Sequence, residues 1–301
     1  MKIHTIGCSF TNYIYPTWSD YIAKFYNINV ENLGYPSQGN ETIKKHLYTI
    51  DDSDHVIIMF SGYNRLTAGV DQDHLLANTD DVELLEKVQK NKQNFFRNNL
   101  PFTSFIPLTS TLKRQAFSQF HMMYHTLETI FECQTYLQNK KIDYTFCFWQ
   151  GFDNDITVLR SEKQPKINCD TFMKNRIYSR IDSLIDKTKF VQQFSDGLWE
   201  HTFTDRELVM AQSPIDLHPS TLCHFDFFKT YLKPILDKKI NGTGDMQNLF
   251  EKAKNFSETY ASMTLDQINQ IYRINDYPDP TVDDFNRARY HFFSMFDNIP
   301  K

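Results

Sequence analysis

The feature that most constrains the fold is a continuous apolar run from His55 to Phe60. A short run that is apolar at successive positions is typical of a strand buried on both faces, as in parallel sheets. Two more strands are predicted upstream, at Ile3–Ile6 and Ile28–Leu33, and residues with helical spacing follow each of them. Three strands alternating with two helices predict a parallel α/β sheet.

The same alternation resumes in the second half of the chain. A long amphipathic helix is predicted from Phe120 to Leu137, and it leads to a fourth strand at Ile142–Trp149. Lys189–Val191 predicts a short fifth strand, and the apolar positions between Leu222 and Ile235 predict a last core helix. The predicted fold class is therefore α/β, with a parallel sheet of about five strands.

Two regions depart from this pattern. Between about residues 65 and 110 the alternation lapses into polar and aromatic segments, which predicts a helical insertion after the third strand. Beyond Asn241 the apolar spacing predicts three further helices. We therefore predict an α/β domain over residues 1–240 and a C-terminal helical extension over 241–301, which could bind a protein partner.

Composition excludes several classes of protein. The net charge is −5 without a basic cluster, which argues against a nucleic-acid-binding protein. No apolar run approaches the roughly 18 residues of a membrane span, so no membrane partner is expected. The N-terminus lacks the pattern of a signal peptide, and the 5 cysteines include no C-x-x-C pair. Synthesis in the cytoplasm, in a reduced compartment, is the expectation.

The sequence predicts neither a metal nor a cofactor. His121 and His125 are four residues apart on a predicted helix, but two histidines are too few for a site, and Met122 stands where a metalloprotease has its glutamate. There is no glycine-rich phosphate loop.

Polar and small residues that can carry chemistry follow the predicted strands. The carboxyl ends of parallel strands meet at one edge of a sheet, which is where such sheets bind ligands. We therefore expect these residues in one pocket: Ser9 within Gly7-Cys8-Ser9-Phe10-Thr11, then Gly39, Asn40 and Asn64, and finally Asp216 and His218 before the last core helix.

The order and content of these blocks resemble the SGNH, or GDSL-like, hydrolase family of esterases, lipases and acyl hydrolases. The resemblance covers residues 1–65 and 140–238 and excludes the insertion and the C-terminal helices. It implies a flavodoxin-like three-layer α/β/α fold. It also implies that Ser9 is the nucleophile and that His218 and Asp216 complete a Ser-His-Asp triad.

The physical roles follow from the residue types. A serine hydroxyl is a weak nucleophile until an imidazole takes its proton, and an imidazole has a reference pKa near 6.5. Asp216 would hold the tautomer of His218 and stabilise the imidazolium. The family also implies an oxyanion hole made by the backbone N–H groups of Ser9 and Gly39 and the side-chain amide of Asn64.

Three residues beside these positions are candidates to line the substrate pocket: Asn40, Tyr63 and Arg65.

The sequence departs from the family pattern at several positions. Cys8 and Phe10 replace the usual neighbours of the nucleophile, and Arg65 replaces an aspartate. Asp216 and His218 are two residues apart rather than three, a spacing that still puts both side chains on one face of an extended segment. Asp205 is an alternative partner for His218.

Simpler interpretations stay open for single residues. Ser9 can be a turn serine, and Gly39 and Gly62 can be turn glycines with positive φ. Asn64 can be a helix cap. His224, in the helix after His218, can be a packed residue or one that supports the site.

Three functions are compatible with these residues. The favoured one is a serine esterase that cleaves an ester, with O-acyl groups on carbohydrates as a substrate class taken from the family. The second is a binding or virion-assembly protein without turnover, by analogy with bacteriophage-encoded sequences of this kind. The third is an acyltransferase that uses the same site with an acceptor other than water.

Overall fold

The parallel sheet predicted from the sequence is present. A computed structural model describes residues 1–36, 38–62, 119–152, 176–192, 197–198, 201, 218–272 and 282–299. Four parallel strands pair within these residues: β1 (Ile3–Ile6), β2 (Val30–Asn32), β3 (His55–Phe60) and β4 (Asp143–Phe148). The α/β class is therefore confirmed.

The strand order is β2-β1-β3-β4, with β1 between β2 and β3. The chain runs from β1 to β2 on one side and then returns to β3 on the other side of β1. A reversal of this kind opens a crevice at the carboxyl ends of the two strands that flank it, where α/β sheets bind ligands. Ser9 follows the end of β1 by three residues and so lies at this crevice.

Nine helices occur within the described residues: α1 (Trp18–Tyr26), α2 (Asn40–Tyr48), α3 (Gln119–Lys140), α4 (Arg176–Asp182), α5 (Thr221–Phe227), α6 (Lys233–Leu236), α7 (Met246–Ser262), α8 (Leu265–Tyr272) and α9 (Val282–Asp297). A π-helical turn, Phe228–Leu232, joins α5 to α6 ahead of Pro234. In the described part of the chain, no helix combines the length and apolar character needed to cross a bilayer.

The fifth strand predicted at Lys189–Val191 is not confirmed. Lys187–Lys189 forms a 3₁₀ turn, because the carboxylate of Asp186 accepts a hydrogen bond from the Thr188 N–H at 3.0 Å and caps the turn. Phe190 then makes one isolated parallel bridge with Phe146. The described residues therefore contain four strands, with a single bridge where the fifth was predicted.

Apolar side chains pack on both faces of β3. Ile57 and Met59 belong to a cluster that includes residues of α1, α5, α7 and α9. Val56, Ile58 and Phe60 belong to a second cluster, which includes residues of α2 and α3. Successive side chains of a strand point to opposite faces, so burial on both faces explains the continuous apolar run.

The C-terminal helices share the first of these clusters. Phe292 and Phe296 of α9 are fully buried, and the ring of Phe296 lies 6.0 Å from that of Tyr21 in α1. Gly244 donates its N–H to the Phe25 carbonyl at 2.7 Å, and a Cβ on Gly244 would come within 2.7 Å of the Phe25 Cα. Helices beyond the predicted boundary at residue 240 thus pack directly on α1, while the boundary itself stays a prediction. The predicted insertion, at about 65–110, lies outside the described residues.

This packing predicts that Phe296→Ala destabilises the protein strongly. Loss of a fully buried phenyl ring should lower the free energy of unfolding by about 3–5 kcal/mol, measured by urea denaturation. Tyr290→Ala is the matched control on the same helix, since Tyr290 is 79% exposed. A Phe296→Ala protein as stable as this control would show that α9 is not part of the core.

Candidate active site

Ser9 lies in a tight turn immediately after β1. The N–H groups of Thr11 and Asn12 both donate to the Cys8 carbonyl, at 2.9 and 3.2 Å, and close the turn around Ser9. Gly7 is required at the start, because a Cβ there would lie 2.1 Å from the Thr11 Oγ1 and 2.9 Å from the Met59 carbonyl oxygen. The Ser9 side chain is largely buried. Its position is therefore set by backbone geometry.

The segment after β2 braces this turn. Tyr35 donates its N–H to the Gly7 carbonyl at 3.1 Å, and the Asn12 side-chain amide donates to the Gly34 carbonyl at 2.8 Å. A Cβ on Gly34 would come within 2.9 Å of the Thr11 Cβ. The backbone at Gly34 is thus packed against the Thr11 side chain, with no space for a Cβ.

The structure brings His218 to Ser9. The Nε2 atom of His218 lies 2.9 Å from the Ser9 Oγ, although the two residues are 209 positions apart. When the proton of the imidazole is on Nδ1, Nε2 accepts a hydrogen bond from the Ser9 hydroxyl. This is the geometry that a serine nucleophile and its general base require.

The backbone around His218 is anchored to the segment after Ser9. The Tyr15 hydroxyl donates to the Pro219 carbonyl at 2.8 Å, and the Thr221 hydroxyl donates to the Pro16 carbonyl at 2.5 Å. Ser220 caps α5 by accepting the Cys223 N–H at 3.2 Å. The loop that carries His218 is therefore fixed on its C-terminal side.

Aromatic rings surround the imidazole. The ring of Tyr13 is stacked on His218, with centroids 4.1 Å apart and planes at 23°. Phe10 lies 5.3 Å from His218 and 4.8 Å from Trp149, which follows β4. Sequence reasoning gave Tyr13 and Tyr15 no role in the site. The only available signal was their closeness to Ser9 in an aromatic segment.

Gly39 occupies the position immediately before α2. Its φ of −90° and ψ of 170° are extended, so the alternative of a turn glycine with positive φ is wrong for this residue. The carbonyl of Gly39 accepts the N–H groups of Thr42 and Ile43, which begin the helix. Gly39 therefore stands at a helix N-terminus, where backbone N–H groups lack intrahelical partners.

Asn40 joins this loop to the end of β3. Its Oδ1 accepts the Ser61 N–H at 2.7 Å and its Nδ2 donates to the Ser61 carbonyl at 3.0 Å. The Ser61 hydroxyl donates to the Gln38 carbonyl at 2.6 Å. Asn40, predicted from the sequence to line the substrate pocket, is buried and uses its amide to hold Gly39 beside the exit of β3.

Charged groups fasten the first turn of α2 to α3. The carboxylate of Glu41 lies 3.0 Å from the Nε2 of His125 and also contacts Lys44 and Thr129. The hydrogen bond with His125 is the main reason that the pKa of Glu41 falls to about 2, and the same contact raises the pKa of His125. These contacts hold the residue next to Asn40.

His224 is a buried histidine without a hydrogen-bond partner among the described residues, on either ring nitrogen. Burial lowers the pKa of its imidazole to about 3, and the nearby His218 adds to this effect. His224 is therefore neutral at physiological pH. The sequence left open whether His224 is a packed residue or one that supports the site. The structure shows that it is buried in α5, near His218.

The remaining predicted site residues lie outside the described part of the chain. They are the candidate acid Asp216 and its alternative Asp205, the oxyanion candidate Asn64, and the pocket candidates Tyr63 and Arg65. Among the described residues no group of three metal-binding side chains occurs. What the structure assembles is thus a Ser9–His218 pair, with Gly39 held at the same edge of the sheet.

The burial of His224 predicts part of the acid sensitivity of the fold. Its pKa is lower in the folded state, so the unfolded state binds the proton first and stability falls as the pH drops from about 6.5 toward about 3. Between pH 7.5 and pH 5.0 the free energy of unfolding should fall by about 2 kcal/mol more in the wild type than in His224→Met. Urea denaturation at both pH values measures this difference.

The comparison with His224→Met also removes the contributions of other histidines. Burial lowers the pKa of His4, His46 and His55 as well, but these residues are the same in both proteins. Equal pH dependence in the two proteins would contradict the prediction.

The Asn40 contacts predict a second effect on stability. Asn40→Ala leaves the buried Ser61 N–H without its acceptor, which should lower the free energy of unfolding by about 1–3 kcal/mol. Asn255→Ala, at an exposed position of α7, is the control. Thermal or urea denaturation measures the stability of both variants. An Asn40→Ala protein as stable as the control would show that the hydrogen bonds between Asn40 and Ser61 do not stabilise the fold.

Comparison with models of known families, with curated proteins and with solved structures found no match to this chain.

Proposed function

We propose that the protein is a serine hydrolase of the SGNH type, which cleaves a carboxylic ester through an acyl-enzyme intermediate. The observation that carries the proposal is the 2.9 Å contact between the Ser9 Oγ and the His218 Nε2. Separate sets of hydrogen bonds hold the two residues, so their contact is a property of the fold. It also occurs at the edge of the sheet where ligands bind.

Acylation begins when the Ser9 oxygen attacks the ester carbonyl carbon and the His218 Nε2 takes the hydroxyl proton. The tetrahedral intermediate collapses, and the leaving alcohol receives that proton from His218. In deacylation, His218 takes a proton from water while the water oxygen attacks the acyl carbon. The carboxylic acid leaves and Ser9 regains its proton.

The charge that develops on the carbonyl oxygen requires fixed donors. We assign this role to the N–H groups of Ser9 and Gly39 and to the side-chain amide of Asn64. The two hydrogen bonds between the Asn40 side chain and the Ser61 backbone support the assignment for Gly39, because they hold the neighbouring residue Asn40 at the end of β3. Asp216, two residues before His218, is assigned as the group that orients the imidazole.

The proposal includes the finer features of the family fold. Two apolar clusters that take alternate residues of β3 support a three-layer, flavodoxin-like arrangement. The strand order 2-1-3-4 is the first part of the flavodoxin-like order. We assign the bridge at Phe190 to the position of the fifth strand.

The substrate class that follows from the family resemblance is an ester of a small molecule or carbohydrate, with an O-acyl group as the cleaved part. Transfer of the acyl group to an acceptor other than water would use the same residues. Analysis of the products by mass spectrometry distinguishes hydrolysis from transfer.

The central test uses a fluorophosphonate probe and short-chain nitrophenyl esters. The wild-type protein should be labelled at Ser9 and should hydrolyse the esters. Ser9→Ala and His218→Gln should each lose activity by about 10⁴-fold or more, because the nucleophile and its base act as one unit. Mass spectrometry of the labelled protein identifies the modified residue.

Ser262→Ala is the matched control, since Ser262 is an exposed serine on α7. It should retain both labelling and hydrolysis. A wild-type protein that neither reacts with the probe nor cleaves the esters would overturn the proposed function.

A further inference from the structure

A chain of contacts links His218 to the C-terminal helix α9. At the His218 end, the ring of Tyr13 is stacked on the imidazole, with centroids 4.1 Å apart. When His218 takes the Ser9 proton, its imidazole becomes a cation. An aromatic face attracts a cation, so the contact with Tyr13 is stronger after proton transfer than before it. Such an interaction lowers the barrier rather than only binding the ground state.

Tyr15 fixes the Tyr13 ring from the side. The two rings meet edge to face, with centroids 4.8 Å apart and planes at 74°. The Tyr15 hydroxyl also donates to the Pro219 carbonyl at 2.8 Å. Tyr13 and Tyr15 therefore hold both the imidazole and the backbone beside it.

Arg289 of α9 fixes the backbone of Tyr13. One guanidinium nitrogen donates to the Tyr13 carbonyl, and the other donates to the Asp20 carboxylate at 2.9 Å. The second oxygen of Asp20 accepts the Thr17 N–H at 2.8 Å, at the start of α1. The planar fork of arginine makes both contacts at once, which the single ammonium group of lysine does not match.

The guanidinium is itself held in place. It lies 4.2 Å from the ring of Phe293, and its side chain is only 22% exposed. The neighbouring residues Phe292 and Phe296 are fully buried against α1 and α7. Helix α9 therefore holds Arg289 in place against the backbone of Tyr13.

We infer that Tyr13 and Arg289 are positioning residues of the catalytic site. Tyr13 orients His218 and stabilises its imidazolium, and Arg289 holds Tyr13 in place. The C-terminal helices, which lie outside the family resemblance, thus complete the site. This inference rests on the proposed serine hydrolase function.

The first experiment measures kcat/KM for a nitrophenyl ester across pH. Tyr13→Leu should lower kcat/KM by about 10-fold, as expected for loss of a desolvated cation–π contact. The acid limb of the profile should move to lower pH, because the variant lacks the ring that stabilises the imidazolium. Tyr13→Phe keeps the ring and should retain both the rate and the profile.

A second substitution separates charge from shape. Trifluorophenylalanine at position 13 keeps an aromatic ring of similar size but removes most of the negative charge from its face. It should reproduce the loss seen with Tyr13→Leu. Among the described residues His224 has a pKa affected by His218, but it is neutral and is the same in all these proteins. Asp216 is also the same in all of them, so neither residue produces the shift.

The third experiment is a double-mutant cycle. Arg289→Met should lower kcat/KM by about 3-fold or more, and the double variant with Tyr13→Leu should lose little beyond Tyr13→Leu alone, because Arg289 acts through Tyr13. Tyr290→Leu, the exposed neighbour on α9, is the control and should leave the rate unchanged. Additive losses in the double variant would overturn the role of Arg289.

The outcomes separate this inference from the proposed function. An active wild type whose Tyr13→Leu and trifluorophenylalanine variants keep the rate and the pH profile overturns the inference alone. A wild type that neither hydrolyses esters nor is labelled at Ser9 overturns both.

Discussion

Pairing of β1 on both sides is the constraint on which the rest of the structure depends. Ile3–Thr5 pairs with β2, and the whole strand pairs with β3, so the end of β1 cannot shift relative to its neighbours. The Gly7 turn then brings the chain against the Met59 carbonyl of β3. The position of Ser9 is therefore set by a strand that is paired on both sides and by the turn that follows it.

The partner of Ser9 depends on a different part of the protein. His218 is fixed by contacts between the first and last thirds of the chain, such as that of Tyr15 with Pro219 and that of Tyr21 with Thr221 at 2.9 Å. Closing a segment of this length has an entropic cost that local contacts do not offset. The large apolar cluster shared by α1, α5, α7 and α9 offsets it, which links the contact between Ser9 and His218 to the integrity of the C-terminal helices.

The sequence predicts what depends on local pattern. The buried run at His55–Phe60 determines a strand, and the alternation around it determines a parallel sheet, so Ser9 and Gly39 could be placed at one edge. Contacts between side chains distant in sequence were beyond such reasoning: nothing in the spacing of Arg289 relates it to Tyr13. The fifth strand is not confirmed: Asp186 caps a 3₁₀ turn at Lys187–Lys189, and only a single parallel bridge, between Phe190 and Phe146, follows it. For Asn64 and Asp216 the predictions stand as they were.

The short strand β2 has a consequence for association between copies of the chain. Among the described residues it forms one border of the sheet and is only three residues long, with the exposed carboxylate of Glu31 at its centre. An open strand border is a template on which another chain can add by backbone hydrogen bonding, and brevity and charge both weaken that template. The apolar interior of the sheet is therefore compatible with a low tendency to aggregate through strand pairing at β2.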